Sequence, residues 1–341
     1  MKGRRKRRVP SAILTLPLFI LVGIFACGLM ACRQGDYGLP AAAPTLEVLS
    51  DTLWDPIMGP PGATGVNCFA SYRTGEILAG TDIGVYRSTD GGNVWGRMSG
   101  NSSTIWGIRA LCINNDGSVY ACVRSPELLL RYSHRDSGWK PAATGLETSG
   151  LFSVANDSSG NLFAGTNNIG VYRSTDGSAS WDLINDGLGS VVVLVLCLND
   201  KGDLFAGTSQ NGVFRLRRSG SSWSRITVLP SAQLVRAIAC DALGRMMLSA
   251  GESVYRSSDH GDHWVQCPGK PGTPQILALL PIPPSTVYAG TNNGVYQSVD
   301  NGDSWSPYSV GLHYQPVYAL TRNSGARLIA GTANGIYRTR R

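Results

Sequence analysis

The chain repeats one phrase at a nearly constant interval. VYRSTDGGNVW occupies residues 85–95, VYRSTDGSASW occupies residues 171–181, and weaker copies follow. Ala-Gly pairs begin at Ala79, Ala164, Ala206, Ala250, Ala289 and Ala330, with Ala121-Cys122 in the matching place. Seven of the eight tryptophans fall at residues 54, 95, 139, 181, 223, 264 and 305, and only Trp106 is off this grid. Two independent markers with one period near 42 residues predict seven copies of one structural unit.

Each unit has the pattern of four short strands. Residues 107–142 contain the runs GIRALCI, SVYACV, LLLRYS and GWKPAA, separated by the turn-forming segments NNDG, SPE and DSG. Four strands in hairpin succession form one antiparallel sheet. Because such a sheet is apolar on both faces, it needs a neighbour on each side, and radial repetition supplies one. The predicted fold is therefore all-β, a single seven-bladed β-propeller with four-stranded antiparallel blades.

The seventh unit lacks a fourth strand. It ends at YRTRR, residues 337–341, without a tryptophan, whereas Trp54 lies before the first complete unit. The segment around Trp54 is similar to the fourth strands that carry the other tryptophans. We therefore predict that residues 52–59 complete the last blade, so that the N-terminal strand closes the ring and protects the sheet edges.

The phrase Ser-x-Asp-x-Gly-x-x-Trp resembles the Asp-box, or BNR repeat. This repeat occurs in sialidases, xyloglucan hydrolases, sortilin-type receptors, photosystem II assembly factors and propellers without activity. The resemblance implies a turn between strands three and four, held by the Ser and Asp side chains, and a tryptophan packed between sheets. These roles are structural rather than catalytic. The matching residues are Ser88, Asp90, Gly92, Trp95; Ser174, Asp176, Trp181, with Ser178 in place of glycine; Ser257, Asp259, Gly261, Trp264; and Ser298, Asp300, Gly302, Trp305.

The N-terminus has the pattern of an export signal. Six basic residues before residue 10 precede an apolar run at residues 12–31. The run ends in Leu29-Met30-Ala31-Cys32, which resembles the lipobox of bacterial lipoproteins; Cys27 matches less well because Phe25 is bulky. We expect a signal peptide at 1–31, lipidation of Cys32, a flexible tether at 32–51 and the propeller at 52–341. The alternative is an uncleaved transmembrane anchor, since twenty apolar residues can span a bilayer.

Charge and flanking residues bear on location and partners. Either kind of anchor leaves the chain after residue 32 outside the cytoplasm. Residue 33 is Arg, whereas Asp there signals inner-membrane retention in the lipoprotein family, so the outer membrane or cell surface is favoured. Without the basic cluster, 24 basic residues face 23 acidic ones. This balance argues against a nucleic-acid partner, which requires clustered cations.

A column of mixed residues near the start of the first strands is the candidate ligand site. Two arginines and two aromatic rings there suit recognition of a carboxylate or a sugar ring. The alternative is that the arginines merely reach solvent. The column consists of Asn67, Arg109, Phe152, Leu194, Arg236, Leu277 and Tyr318; nearby loops add Trp106, His313 and Tyr314. The predicted partner is a glycan or a protein, bound without catalysis.

A glycoside hydrolase of the sialidase or oligosaccharide type is the alternative function. Two-carboxylate chemistry needs an acid pair about 5–10 Å apart. The available acids are scattered over different blades: Asp82, Glu127, Glu147, Asp186 and Glu252. No catalytic residue, cofactor or metal site is predicted, and a purely structural envelope protein is a third possibility.

The cysteines and histidines allow few site hypotheses. Six cysteines follow Cys32, and most lie on apolar first strands, where cysteine packs as a small hydrophobe. A disulfide remains an alternative, with Cys112–Cys122 the first pair to consider, because the hairpin register predicts Cys112 opposite Ala121. His260 and His263 lie within one turn and are expected to be solvated rather than to bind metal.

Overall fold

A computed structural model describes residues 54–340 apart from 99–105, 126–127, 134, 136–137, 148–149, 191, 230–232, 273–274 and 313. Within these ranges the chain forms seven antiparallel sheets of four strands each. This confirms the predicted seven-bladed propeller. No helix in the described part is long and apolar enough to cross a bilayer. The predicted signal peptide, Cys32 and the tether lie outside the described residues.

The strands follow one another from the inside of each blade to its outside. After β1 (Trp54–Ile57), the first four blades consist of β2 (Val66–Ser71), β3 (Ile77–Thr81), β4 (Val85–Ser88), β5 (Gly96–Arg97); β6 (Trp106–Ile113), β7 (Val119–Ser125), β8 (Leu128–Ser133), β9 (Gly138–Pro141); β10 (Leu151–Asn156), β11 (Leu162–Thr166), β12 (Val171–Ser174), β13 (Asp182–Leu183); and β14 (Val193–Leu198), β15 (Leu204–Thr208), β16 (Val213–Leu216), β17 (Trp223–Arg225).

The remaining blades repeat this order. Blades 5 to 7 consist of β18 (Ile238–Cys240), β19 (Met246–Ala250), β20 (Ser253–Ser257), β21 (Val265–Gln266); β22 (Ile276–Ile282), β23 (Thr286–Thr291), β24 (Gly294–Ser298), β25 (Ser306–Pro307); and β26 (Val317–Arg322), β27 (Leu328–Thr332), β28 (Gly335–Thr339) with β1. The first strand of each blade contacts the first strand of the next, so these seven strands surround the central axis.

The N-terminal strand completes the last blade, as predicted. β1 pairs antiparallel with β28, and Trp54 lies opposite Thr339. The indole of Trp54 is 1% exposed and donates a 2.7 Å hydrogen bond to the carbonyl of Tyr308 in blade 6. The strand therefore joins the two ends of the chain and also packs the seventh blade against the sixth.

The register corrects one of the sequence markers. In blade 5, Leu248 and Ser249 occupy the place of the Ala-Gly pair, because Leu248 lies opposite Tyr255 as Ala79 lies opposite Tyr86. Ala250-Gly251 was the wrong match; it begins the following turn. With Leu248 the repeat is more even, at 42 residues from Ala206 and 41 to Ala289.

Residues near the axis are small because neighbouring sheets approach most closely there. A Cβ added to Gly80 would lie 2.6 Å from Ile108 Cγ2 of the next blade, and one added to Gly207 would lie 2.7 Å from Val235 Cγ1. The residue paired with each such glycine is also buried and small, for example Cys68 and Ala278. Glycine here is required by close approach of two sheets rather than by a turn.

At the outer edge the sheets diverge, and the seven repeated tryptophans occupy the wider gap. Trp95 packs with Ile329 and Ile336 of blade 7, and the ring of Trp264 lies 6.2 Å from Phe205 of blade 4. In the three complete motifs the indole donates to the carbonyl of its own glycine; in the other four units it donates to the preceding blade. Those four bonds run from Trp54 to Tyr308, Trp139 to Met98, Trp181 to Ala142 and Trp223 to Ile184.

We refer to the four motif segments 88–95, 174–181, 257–264 and 298–305 as the Ser-Asp turns. In the first, Ser88 Oγ donates to Asp90 Oδ1 and accepts the amide of Gly92, and Asp90 Oδ1 accepts the amide of Val94. The other three repeat these bonds. The residue at the glycine position has a positive φ in all four, including 78° at Ser178.

The Ser-Asp turns also join neighbouring blades. The residue before the glycine position has a left-handed backbone, and its carbonyl accepts a side-chain hydrogen bond from the preceding blade. Asn323 reaches Gly91, Tyr120 reaches Gly177, Asn199 reaches His260 and Arg256 reaches Asn301. This second role is invisible in the motif, because the donors lie 45 to 232 residues away in the sequence.

Blade 4 lacks the Ser-Asp turn and uses a buried ion pair instead. Asp203 accepts the backbone amide of Arg218 and pairs with Arg215, whose side chain is 5% exposed. Arg215 Nη1 also donates to Gly261 O and to Asp262 of blade 5. The pair thus holds the turn of blade 4 in place of the missing motif, and Arg215 also connects blade 4 to the following blade.

Ring closure makes Trp54 a stability hot spot. Replacing Trp54 with Ala should lower the free energy of unfolding by about 3–5 kcal/mol, because a buried indole and its hydrogen bond are lost. Met58→Ala, at a neighbouring side chain that is 84% exposed, should cost less than about 0.5 kcal/mol. Denaturant melts measure both. Equal losses would show that the strand does not hold the ring closed.

The turn carboxylates predict acid sensitivity. A hydrogen bond from Ser304 Oγ lowers the pKa of Asp300 to about 2, and one from Ser180 Oγ does the same for Asp176. For Asp259, burial raises the pKa but is outweighed by hydrogen bonds from His263. A depressed native pKa contributes stability that is complete above the unfolded value of about 3.9 and lost toward pH 2.

The melting temperature should therefore fall between about pH 4 and pH 2. The Asp300→Asn variant keeps an acceptor oxygen but does not titrate, so its curve should be shallower than that of the unchanged chain. Ser304→Ala should move the midpoint to higher pH. Thermal melts from about pH 7 to pH 2 check this, and identical curves for all three proteins would contradict it.

Candidate functional site

A β-bulge places each residue of the candidate column. In six blades the pairing of the first two strands skips one residue, which is Asn67, Arg109, Phe152, Leu194, Leu277 or Tyr318. Arg236 has the same place in blade 5, directly before Ala237, whose carbonyl accepts the amide of Ser249. Bulges re-aim a side chain and are frequent beside functional sites. We call these seven residues the bulge ring.

One part of the bulge ring satisfies itself. Asn67 Nδ2 donates a 3.0 Å hydrogen bond to Ile108 O of the next blade, and Arg109 Nη1 donates a 3.2 Å bond to Leu151 O. The guanidinium of Arg109 also lies over the ring of Phe152, 4.9 Å from its centroid. From blade 1 to blade 3 each polar side chain is thus bonded to its neighbour, which leaves little capacity for a ligand.

The other part is open. Arg236 stands between Leu194 and Leu277, the buried bulge residues of the two adjacent blades. Its Nε is buried without a hydrogen bond, and no carboxylate in the described chain pairs with it. Burial lowers the pKa of the Arg236 guanidinium, with no contribution from a neighbouring charge. Unlike Arg109, Arg236 is a half-buried cation whose buried Nε–H reaches no acceptor in the described chain.

Further unused donors lie at the same end of the blades. Ser153 Oγ follows Phe152 and is buried without a partner, and so is Nε2 of Gln315. Gln315 is 6% exposed, and its Oε1 accepts Asn334 Nδ2 at 2.9 Å, which fixes the amide orientation. Burial raises the pKa of the nearby Tyr318 phenol. Each unpaired buried donor costs about 1–3 kcal/mol, so a ligand that brings acceptor oxygens to this end of the blades would remove that cost.

The sequence analysis did not select Gln315. The three loop residues that it did select lie in different settings. Tyr314 is 80% exposed and has a left-handed backbone with φ of 51°, an uncommon state for a residue other than glycine. Trp106 begins β6, and His313 lies outside the described residues. The sequence GLHYQP, residues 311–316, indicated His313 and Tyr314 as candidates in this loop. Only the packing shows that Gln315 is buried there, whereas the aromatic Tyr314 is exposed.

Among the residues that the structure describes, the acidic side chains considered for hydrolysis lie on different blades. Asp82 in blade 1 accepts hydrogen bonds from the amide and hydroxyl of Thr64, and Glu252 in blade 5 pairs with Lys270 at 2.9 Å. Asp186 follows blade 3, and Glu127 lies outside the described residues. Those that are described are therefore separated by blades, and two of them have structural partners.

The register of one cysteine differs from expectation, and both histidines contact carboxylates. Cys112 lies opposite Tyr120 rather than Ala121, and its thiol donates a 2.7 Å hydrogen bond to Asn156 Oδ1. His260 Nδ1 contacts Asp200 at 2.5 Å and His263 Nδ1 contacts Asp259 at 2.6 Å, which raises the pKa of His263. In the described ranges no three His, Cys, Asp or Glu side chains converge as metal ligands.

The fold has many solved relatives of low sequence identity. The extracellular domain assigned to a hybrid two-component system of B. thetaiotaomicron aligns with 85% of this chain and 40% of its own, at 18% identity and a TM-score of 0.68. The GH74 enzyme of Niastella koreensis aligns over 84% and 53%, at 16% identity and 0.67. This chain thus spans two fifths to about half of those proteins.

YCF48 from Cyanidioschyzon merolae matches along nearly its whole length. It aligns with 84% of this chain and 98% of its own, at 14% identity and a TM-score of 0.63. A YCF48 structure bound to D1 peptide is also similar, at 15% identity. No protein-family model and no curated protein sequence matches the chain. At these identities the likeness shows the fold, a β-propeller, and leaves function to the residues.

Proposed function

We propose that the chain is a non-catalytic, membrane-anchored extracytoplasmic propeller that binds a protein or glycan ligand at the open part of the bulge ring. The observation that carries this proposal is Arg236, a half-buried cation whose buried Nε has no acceptor and which no carboxylate in the described chain pairs with. A buried N–H without an acceptor is destabilising unless a ligand supplies one. The ligand would therefore present a carboxylate or another oxygen-rich group to Arg236.

The surroundings of Arg236 support a ligand with an apolar or ring-shaped body. Leu194 and Leu277 make the environment on both sides of Arg236 aliphatic, although they are only 3% and 7% exposed, and Tyr318 follows on blade 7. A few donors among apolar side chains are typical of sites that orient one ligand group and bury the rest. Peptides with a terminal or side-chain carboxylate and acidic sugars both have this combination.

The solved relatives are compatible with such a role. One is an extracellular domain of a two-component system, and another is described as bound to a peptide. By analogy, an extracytoplasmic propeller that holds a partner without altering it fits this chain. The GH74 relative keeps hydrolysis as the alternative, but the described acids that would be needed lie on different blades or have structural partners.

Arg236 and Arg109 form a matched pair for testing this site. Arg236→Leu should raise the free energy of unfolding by roughly 0.5–2 kcal/mol, because a buried N–H without an acceptor is replaced by an apolar side chain. Arg109→Leu should lower it by about 1–2 kcal/mol, because a hydrogen bond and a cation–π contact are lost. Denaturant melts of the purified proteins measure both changes. Loss of stability in both variants would contradict the proposal.

Ligand binding should depend on Arg236 rather than on Arg109. A glycan-array and pull-down screen with the unchanged chain identifies the ligand, and Arg236→Leu should weaken its affinity at least about tenfold. Arg109→Leu should change that affinity less than about threefold, since its guanidinium is already engaged. A hydrolase assay runs beside the screen. Product release, or a ligand that binds both variants equally, would overturn the binding role.

Lipidation of Cys32 is proposed from the lipobox resemblance and has its own test. Cells labelled with radioactive palmitate should incorporate label into the unchanged chain and into Cys27→Ser, but not into Cys32→Ser, because the bulky Phe25 makes the segment before Cys27 a poorer lipobox than Leu29-Met30-Ala31 before Cys32. Label retained in Cys32→Ser would refute this site. A mature chain that still contains residues 12–31 by mass spectrometry would favour the transmembrane anchor.

A further inference from the structure

The interface between blades 5 and 6 contains a cleft of about 330 Å³ that is separate from the bulge ring. Its lining includes Met247 and Val265 of blade 5 and Pro281 and Val287 of blade 6. It also includes Asn301 and Asp303 of the Ser-Asp turn in blade 6. This volume is at the lower end of the range for small-molecule sites, roughly 300–1,000 Å³.

The cleft exists because this interface lacks aromatic side chains. Each of the other six interfaces has at least three aromatic rings in its apolar cluster, whereas this one has only Trp305, which is half-buried. Met247 occupies the position that faces the next blade. The residues aligned with it are Leu78, Tyr120, Phe163, Phe205, Tyr288 and Ile329. Close packing normally fills such gaps, so an open one between sheets is a candidate binding space.

The polar part of the lining has more donors than acceptors. Arg256 uses only Nη1, which bonds to Asn301 O at 3.1 Å and Asp303 Oδ1 at 2.6 Å. Arg245 bonds to Asp241 through Nε and to Asn301 Oδ1 through Nη1. Its Nη2 lies 2.5 Å from Asp241 Oδ2 in an ion pair, which leaves the second N–H of this buried atom without an acceptor in the described chain.

The charges of the lining are largely balanced. Arg245 is neutralised by Asp241 and Arg256 by Asp303. His263, which also lines the cleft, pairs with Asp259. A cation would meet unused N–H groups and no unpaired carboxylate. An acceptor oxygen, charged or neutral, would meet at least one guanidinium with hydrogen-bonding capacity to spare.

We propose that this cleft binds a small ring-sized apolar molecule that carries a carboxylate or carbonyl group. Met247, Val265, Pro281 and Val287 would contact the apolar body, while Arg245 and Arg256 would donate to the oxygen. The site does not depend on the ligand of the bulge ring. It lies between the second to fourth strands of blade 5 and the first two strands of blade 6, beside a Ser-Asp turn, and shares no lining residue with the ring.

Three probes of one shape test this chemistry. Benzoate and benzamide carry the acceptor, and benzylamine carries a cation instead. In ligand-observed NMR titrations of the purified chain to about 20 mM, benzoate and benzamide should saturate with a Kd of about 1 mM or tighter. Benzylamine should not saturate. No saturation by either acceptor probe, or equal binding of benzylamine, would overturn the proposal.

Two variants locate the binding and one separates it from the proposed function. Met247→Phe supplies the ring found in blades 2, 3, 4 and 6, and should weaken benzoate at least about tenfold by filling the cleft. Val265→Ser alters a side chain that is 59% exposed, so folding should be unaffected while the apolar wall is lost and no charge is added. Arg236→Leu should leave benzoate binding unchanged. Retention of benzoate by both cleft variants would place the probe elsewhere and refute the site.

Discussion

The constraint on which this structure depends is the taper between neighbouring sheets. Seven sheets arranged around one axis are closest at their first strands and diverge toward the outside. The inner gap accepts only small side chains, and a methyl group added to Gly80 or Gly207 would collide with the next blade. The outer gap needs the largest side chain available, which is tryptophan. The 42-residue repeat follows from this requirement, because every blade needs small residues at the inner gap and a tryptophan at the outer gap.

Within that frame the connections between blades need not be identical. Four blades use a Ser-Asp turn whose carbonyl receives a side chain from the preceding blade, whereas blade 4 uses the buried Arg215–Asp203 pair. The tryptophan indoles likewise donate either to the carbonyl of their own motif glycine or to a carbonyl of the preceding blade. A ring tolerates such exchange because each interface is a local contact between two sheets. It does not tolerate an open end, which is why β1 pairs with β28.

The candidate sites are places where one blade departs from the repeat. Arg236 lacks the neighbours that engage Arg109 in the same ring, and Met247 lacks the aromatic ring found in four other blades. Both departures leave donors beside apolar surface, and neither improves packing. Residues that lower the stability of the fold and do not improve its packing are candidates for ligand binding. The regular blades provide the rigidity that keeps such positions in place.

The sequence alone determined the fold class, the number of blades and the closing strand, because a period of 42 residues and a missing fourth strand depend only on spacing. It also placed the bulge-ring residues in one column, because each stands at the same position near the start of a first strand. It misaligned blade 5, where Ala250-Gly251 imitated the marker, and it missed Gln315 and the cleft beside Met247. Only the tertiary structure decided which arginine is engaged, which donor is buried unpaired and which gap stays open. Those properties arise between residues of different blades, about 40 or more positions apart, and no local pattern encodes them.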